Sequence, residues 1–110
     1  ADFYMLGWGV PTFDSHYIFN YLVHTQTNDR GSWNPTGYSN ASVDAMIESL
    51  ESETNLKKRD DTIAKIWAEV QKAQMYLPIH NQVLNWGMRK DIDFDVQPED
   101  TPHFQFLKFN

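Results

Sequence analysis

The run Leu6-Gly7-Trp8-Gly9-Val10-Pro11-Thr12-Phe13-Asp14 constrains this chain more than any other stretch. Its apolar lead-in, Phe3-Tyr4-Met5-Leu6, reads as a short buried strand. Gly7 and Gly9 flank Trp8 and leave room for another backbone or a ligand to come close. Pro11 forbids further ladder bonding and sets a turn, after which Asp14 or Ser15 can cap a helix. The indole of Trp8 thus stands at a strand-to-helix junction, as core packing or as a stacking platform.

At 110 residues, with 41% hydrophobic and 15% aromatic content, the chain fits one folded domain. A formal charge of -6 argues against nucleic acid as a partner, because phosphate binding needs clustered Lys and Arg. No apolar run is long enough to span a bilayer. Cysteine is absent, which excludes disulfides and thiolate metal sites and fits either redox environment. Ala1-Asp2 leads straight into the first strand with no initiator Met or signal segment. A mature N-terminus or an excised piece of a longer polypeptide is therefore expected.

A helix is expected over His16 to His24, with Tyr17, Ile18, Tyr21 and Leu22 on one face. Residues 25–39, rich in Thr, Asn, Asp, Gly, Ser and Pro, read as a long loop. Ser39 or Asn40 caps a second helix, in which Val43, Met46, Ile47 and Leu50 recur at i, i+3, i+4 and i+7. Asn55 caps a third, with Ile63, Ile66, Trp67, Val70 and Ala73 on its apolar face and Pro78 ending it. Asp61 and Lys65 are spaced for an i, i+4 pair. Lys57-Lys58-Arg59 places cations on the first turn against the helix dipole; either Asp60 and Asp61 offset them locally or Arg59 has a tertiary carboxylate partner, the second reading being favoured. Ile79 to Trp86 alternates as a strand, with His80, Gln82, Leu84 and Trp86 on one face. Ile92, Phe94 and Val96 form another strand, and Phe104 to Phe109 a last one. The sum is β-α-α-α-β-β-β, an α/β or α+β layout in a single unit over residues 1–110.

Enzyme signatures are missing: there is no Gly-rich phosphate loop, no G-x-S-x-G elbow and no H-E-x-x-H. A hydrolase built on His80 lacks any nucleophile pattern. His16 and His24 lie about 12 Å apart along a helix axis, too far to share one ion. His80 reads as a buried, hydrogen-bonded ring near Gln82 and Trp86. Asp91, Asp93 and Asp95 lack the Gly and terminal Glu of a calcium loop. No metal and no cofactor are expected. Trp8, Trp33, Tyr38 and Trp86 could offer stacking surfaces to a sugar or a peptide, as in a free-standing binding module.

Four ordered segments carry a likeness to a known family. They are Leu6-Gly7-Trp8-Gly9 with Asp14; Asn34 with Gly37-Tyr38-Ser39-Asn40 and Val43-Asp44; Glu53 with Asn55 and Arg59; and Tyr76-Leu77-Pro78-Ile79-His80-Asn81-Gln82 with Trp86. Together they resemble the C-terminal part of the periplasmic solute-binding proteins of ABC importers, in the peptide/nickel family. That resemblance implies a two-lobed, extracytoplasmic receptor without catalytic activity. This chain would be part of the C-terminal lobe, completed by the rest of the receptor and serving ABC permease subunits. It also implies that Trp8, Gly9, Val10 and Pro11 line the solute cavity, with Asp14, His80 and Gln82 behind them. In peptide-binding members an aspartate three residues past the Trp meets the peptide ammonium. Pro11 stands there instead, which removes that charge-assisted anchor. The nickel-binding branch has a Trp-Gly-x-Pro and Asp-x-His pattern similar to Trp8-Gly9-Val10-Pro11 and Asp14-Ser15-His16, so a metal–chelator complex is the alternative solute. A fragment of this kind is expected to leave an apolar face open and to self-associate.

Overall fold

The structure is a computed structural model that describes residues 3–97 and 101–110. Ala1 and Asp2, the lead-in to the expected first strand, lie outside the described residues. Helix α1 spans Ser15–Ile18 and runs on as a wider π-helical turn over Phe19–Val23. Helices α2 (Ala41–Ser49) and α3 (Leu56–Lys72) follow, then the strands β1 (Ile92–Asp93) and β2 (Lys108–Phe109), which pair antiparallel. The architecture is mixed α and β, with its core in the helical part.

Local chemistry accounts for the helices. Asn40 Oδ1 accepts from the backbone of Ser42 and Val43, and Asn55 Oδ1 accepts from Lys58 N, so both expected caps are in place. Val43, Ile47 and Leu50 from α2 meet Ile66 and Val70 from α3, and Phe19 and Val23 from the π turn close the cluster. Phe19 is wholly buried and its ring lies 4.8 Å from that of Trp67. An even 3.6-residue period places Tyr17, Ile18, Tyr21 and Leu22 on one face, and of these Leu22 is buried while the other three are half-buried. Widening the turn after Ile18 rotates Phe19 and Val23 inward, and a regular helical period carries no sign of that.

Helix α3 ends before Pro78 matters. Gln74 takes a left-handed conformation (φ 51°), Gln74 N donates to Gln71 O, and Met75 N donates to Val70 O. This is the Schellman arrangement, with glutamine where glycine is favoured. The Asp61–Lys65 pair expected on α3 is replaced by Lys57 Nζ to Asp61 Oδ2 at 2.9 Å, one turn earlier and exposed. Arg59 does have its carboxylate: Nη2 lies 2.8 Å from Asp14 Oδ2.

All four expected strands are corrected, two being absent and two shortened. Residues 3–10 alternate between exposed and half-buried positions and pair with no strand, so Phe3 and Met5 face water rather than lying in a buried strand. Ile79 to Trp86 also pairs with no strand and is exposed except at Leu84 and Trp86. Of the run Ile92 to Val96 only Ile92–Asp93 enters a ladder, against Lys108–Phe109. Phe104–Phe106 forms a 3₁₀ turn, with both phenylalanines exposed. Side-chain alternation is a local property, but a ladder needs a neighbouring backbone, and the described residues supply none to the first two segments.

Candidate functional site

The turn after Trp8 is fixed first. Phe13 N donates to Val10 O at 3.0 Å, so Pro11 and Thr12 occupy the corner of a tight turn. Asp14 then caps α1, its Oδ1 accepting from His16 N at 2.8 Å while its Oδ2 takes Arg59. Asp14 is thus a joint between the Trp8 turn, α1 and α3. It is committed to those contacts rather than held free behind a cavity.

Trp8 itself is half-buried, and its surroundings are aromatic. Its ring centre lies 6.1 Å from Tyr17, 6.2 Å from Tyr21 and 6.0 Å from Trp33, all tilted or edge-on. Tyr17 and Tyr21, one helical turn apart, are 4.8 Å from each other. Tilted contacts at these distances suit the ring quadrupoles and fix each ring against its neighbour. The indole N–H of Trp8 is covered and has no acceptor. Trp33 remains 59% exposed and forms the open side of the cluster.

Trp33 reaches Trp8 because the loop 25–39 folds back on the first helix. Gly31 N donates to Asn20 O and Trp33 N to Tyr21 O, at 2.9 and 3.0 Å. Gly31 has φ +65°, and a Cβ there would stand 2.4 Å from His24 O, so only glycine fits. The buried amide of Asn34 donates to His24 O and Tyr38 O. His24, also buried, has Nδ1 2.7 Å from Thr25 O and Nε2 3.2 Å from Glu48 Oε1. Asp44 accepts from Thr25 N at 2.9 Å and from Thr25 Oγ1 at 2.5 Å, which pins the loop to α2. This polar group of His24, Asn34 and Asp44 is what positions the site from below. The "N…GYSN" spacing marked Asn34 in the sequence without giving its role.

The remaining site candidates separate. Gly9 and Pro11 are exposed, and Val10 is half-buried in the turn. A side chain at Gly9 would meet open space, so no close approach requires a glycine there. At Gly7 an added Cβ would lie 3.8 Å from Gln82 Oε1, an ordinary contact. That contact sets the segment 77–88 beside the Trp8 segment. A second tie comes from Tyr76, whose hydroxyl donates to Leu22 O at 2.8 Å and lies beside that of Tyr4. Burial, and then the Tyr4 hydroxyl, push the Tyr76 phenol far above its ordinary pKa. His80 is exposed on its segment, contrary to the buried ring expected. Trp86 packs on Phe94 at 6.2 Å, and Tyr38 packs against the helical core. Trp33, Tyr38 and Trp86 therefore do not form one stacking surface.

Charge distribution singles out the same two segments. Residues 3–13 and 73–88 contain no Asp, Glu, Lys or Arg, in a chain with 9 basic and 15 acidic residues. Both lack helix and strand over residues 3–10 and 77–88, and both expose large apolar side chains: Phe3, Met5, Leu77, Ile79 and Val83. Edge strands that face water are normally guarded by charge. A recess of about 240 Å³ is lined by Gln82 to Trp86, and none of its lining residues belongs to the Trp8 cluster. Among the described residues no group of three or more His, Asp or Glu is placed to hold a metal ion, and no helix is long and apolar enough to cross a membrane. No protein-family model, curated protein or solved structure matches the chain.

Proposed function

We propose that this chain forms one wall of a solute-binding cleft, in a receptor of the peptide/nickel type that delivers its ligand to an ABC permease outside the cytoplasm. The observation that carries the reading is the juxtaposition of two uncharged segments without ladder partners, one of which carries Trp8 and its aromatic neighbours. Exposed apolar segments without charge suit a surface covered by further polypeptide, and a half-buried indole beside them suits a cleft wall. The chain would contribute stacking area rather than an ionic anchor, since Asp14 is engaged by Arg59 and position 11 is proline. Affinity would arise when a second lobe closes over this wall and excludes water. The role is binding without catalysis; the partners are a small peptide-like solute, the remainder of the receptor and the permease.

The test is calorimetric titration with a tripeptide and, separately, with a nickel–histidine chelate. The complete product of the reading frame that encodes this chain should bind one of the two, and Trp8→Ala should weaken that binding by roughly ten-fold or more. This chain alone should bind both weakly or not at all. Submicromolar binding by the chain alone, or a Trp8→Ala substitution without effect in the complete product, would refute the proposal.

A further inference from the structure

One oxygen of Glu51 faces an arginine and a histidine side chain. Glu51 follows α2, and its Oε1 accepts from Arg30 Nη1 at 2.7 Å. The same Oε1 lies 3.8 Å from Nε2 of His16 on α1. That ring nitrogen is covered by the protein and makes no hydrogen bond. Arg30 Nη1 in turn reaches Asn20 Oδ1 at 3.2 Å. Arg30 lies in the loop 25–39, one residue before Gly31 and three before Trp33, so its ion pair helps hold the segment that brings Trp33 to Trp8.

We propose that His16, Glu51 and Arg30 form a proton-operated latch on the Trp33 loop. With a neutral imidazole, Glu51 belongs to Arg30 and the loop is fastened. A protonated ring presents a second cation with an N–H directed at the same carboxylate oxygen, and the two compete for it. Arg30 then keeps its bond to the uncharged Asn20 amide, and the loop loses its ion-pair tether. The charged groups facing His16 are Glu51 after α2, Arg30 in the loop, Asp14 at its own cap and Arg59 on α3. Arg59 and Arg30 oppose protonation, while Glu51 and Asp14 favour it. Burial, the largest influence, also lowers the His16 pKa, so the latch opens on the acid side of the ordinary histidine range. The inference concerns the loop alone and holds whether or not the aromatic cluster lines a solute cleft.

The experiment is fluorine NMR on the full chain labelled with 5-fluorotryptophan, the Trp33 signal being identified by its loss in Trp33→Phe. Between pH 8 and pH 5 the Trp33 signal should shift in a single step. Amide exchange over residues 28–33, corrected for its intrinsic pH dependence, should rise roughly three- to ten-fold, the loss expected for one part-exposed charge-assisted bond. His16→Gln should remove the step. Glu51→Gln, an exposed change that leaves the core untouched, should remove it independently and leave exchange fast at both pH values. A step that persists unchanged in both variants, or a wild-type signal that does not titrate, would overturn the proposal.

Discussion

Replacing Asp14 should separate its two jobs. In Asp14→Ala the backbone N–H of His16 loses its cap, which costs about 1 kcal/mol. Arg59 loses the only carboxylate contact it makes among the described residues, a part-buried pair worth about 1 kcal/mol once the 39% exposure of Asp14 is allowed for. The guanidinium already has a covered Nη1 without a partner, and leaving Nη2 unpaired beside it adds about 1 kcal/mol. The sum is about 2–3 kcal/mol, a large share of the roughly 5–15 kcal/mol typical of a whole domain. Asp14→Asn keeps an oxygen for His16 N and should cost about 1–2 kcal/mol, the cap being equally good with Asn. Urea unfolding followed by far-ultraviolet circular dichroism measures both, and Arg59→Ala with the double variant completes a cycle whose coupling should be about 1 kcal/mol. If Asp14→Ala and Asp14→Asn are equal, the cap is not operating. If the coupling vanishes, the Asp14–Arg59 tie does not explain the cation on the first turn of α3.

Gln74→Gly should stabilise the chain by about 1 kcal/mol, seen as a higher urea midpoint, because glycine removes the left-handed strain at the end of α3. Tyr76 carries a raised pKa, so its neutral form favours the folded state; stability is intact below the ordinary value of 10.0 and falls as pH rises above it. Tyr76→Phe should abolish that alkaline loss while costing about 1 kcal/mol at neutral pH through the bond to Leu22 O, both read from urea midpoints at pH 7 and pH 11. Self-association through the exposed Phe3, Met5, Leu77, Ile79 and Val83 should appear as a concentration-dependent mass in light scattering, and Ile79→Lys with Val83→Lys should reduce it. A strictly monomeric wild-type profile at high concentration would count against that surface.

Helices α2 and α3 were legible because their determinants are local. An Asn cap, apolar residues at i, i+3, i+4 and i+7, and polar residues between them all lie within one helix length. The Asp14–Arg59 pair was half legible: cations on a first turn signal a missing carboxylate, but which one depends on how α1 meets α3. The strands were legible only in part: β1 and β2 form within two of the expected runs, while residues 3–10 and 79–86 stay unpaired. Phe3 and Met5 face water where a continuous buried run is expected, because an apolar run does not provide the neighbouring backbone that makes a ladder. The π turn that buries Phe19, and the end of α3 at Gln74 rather than at Pro78, reflect tertiary packing that no periodicity encodes. At the site, Trp8 was prominent in the sequence and Trp33 was noted, but their meeting depends on Gly31 and Asn34 folding the loop back. Tyr17 and Tyr21 carried the one available signal, a four-residue spacing, and it was consistent with core packing as well as with a ring cluster.

The reading depends on two segments that lack a ladder partner within the described residues. Hydrogen exchange read by mass spectrometry on this chain tests that directly. Amides of residues 3–9 and 77–88 should exchange at nearly unprotected rates while those in α3 are strongly protected. Protection of 77–88 equal to that of α3 in dilute, monomeric protein would mean that these strands are already paired, and the open-wall account would fail.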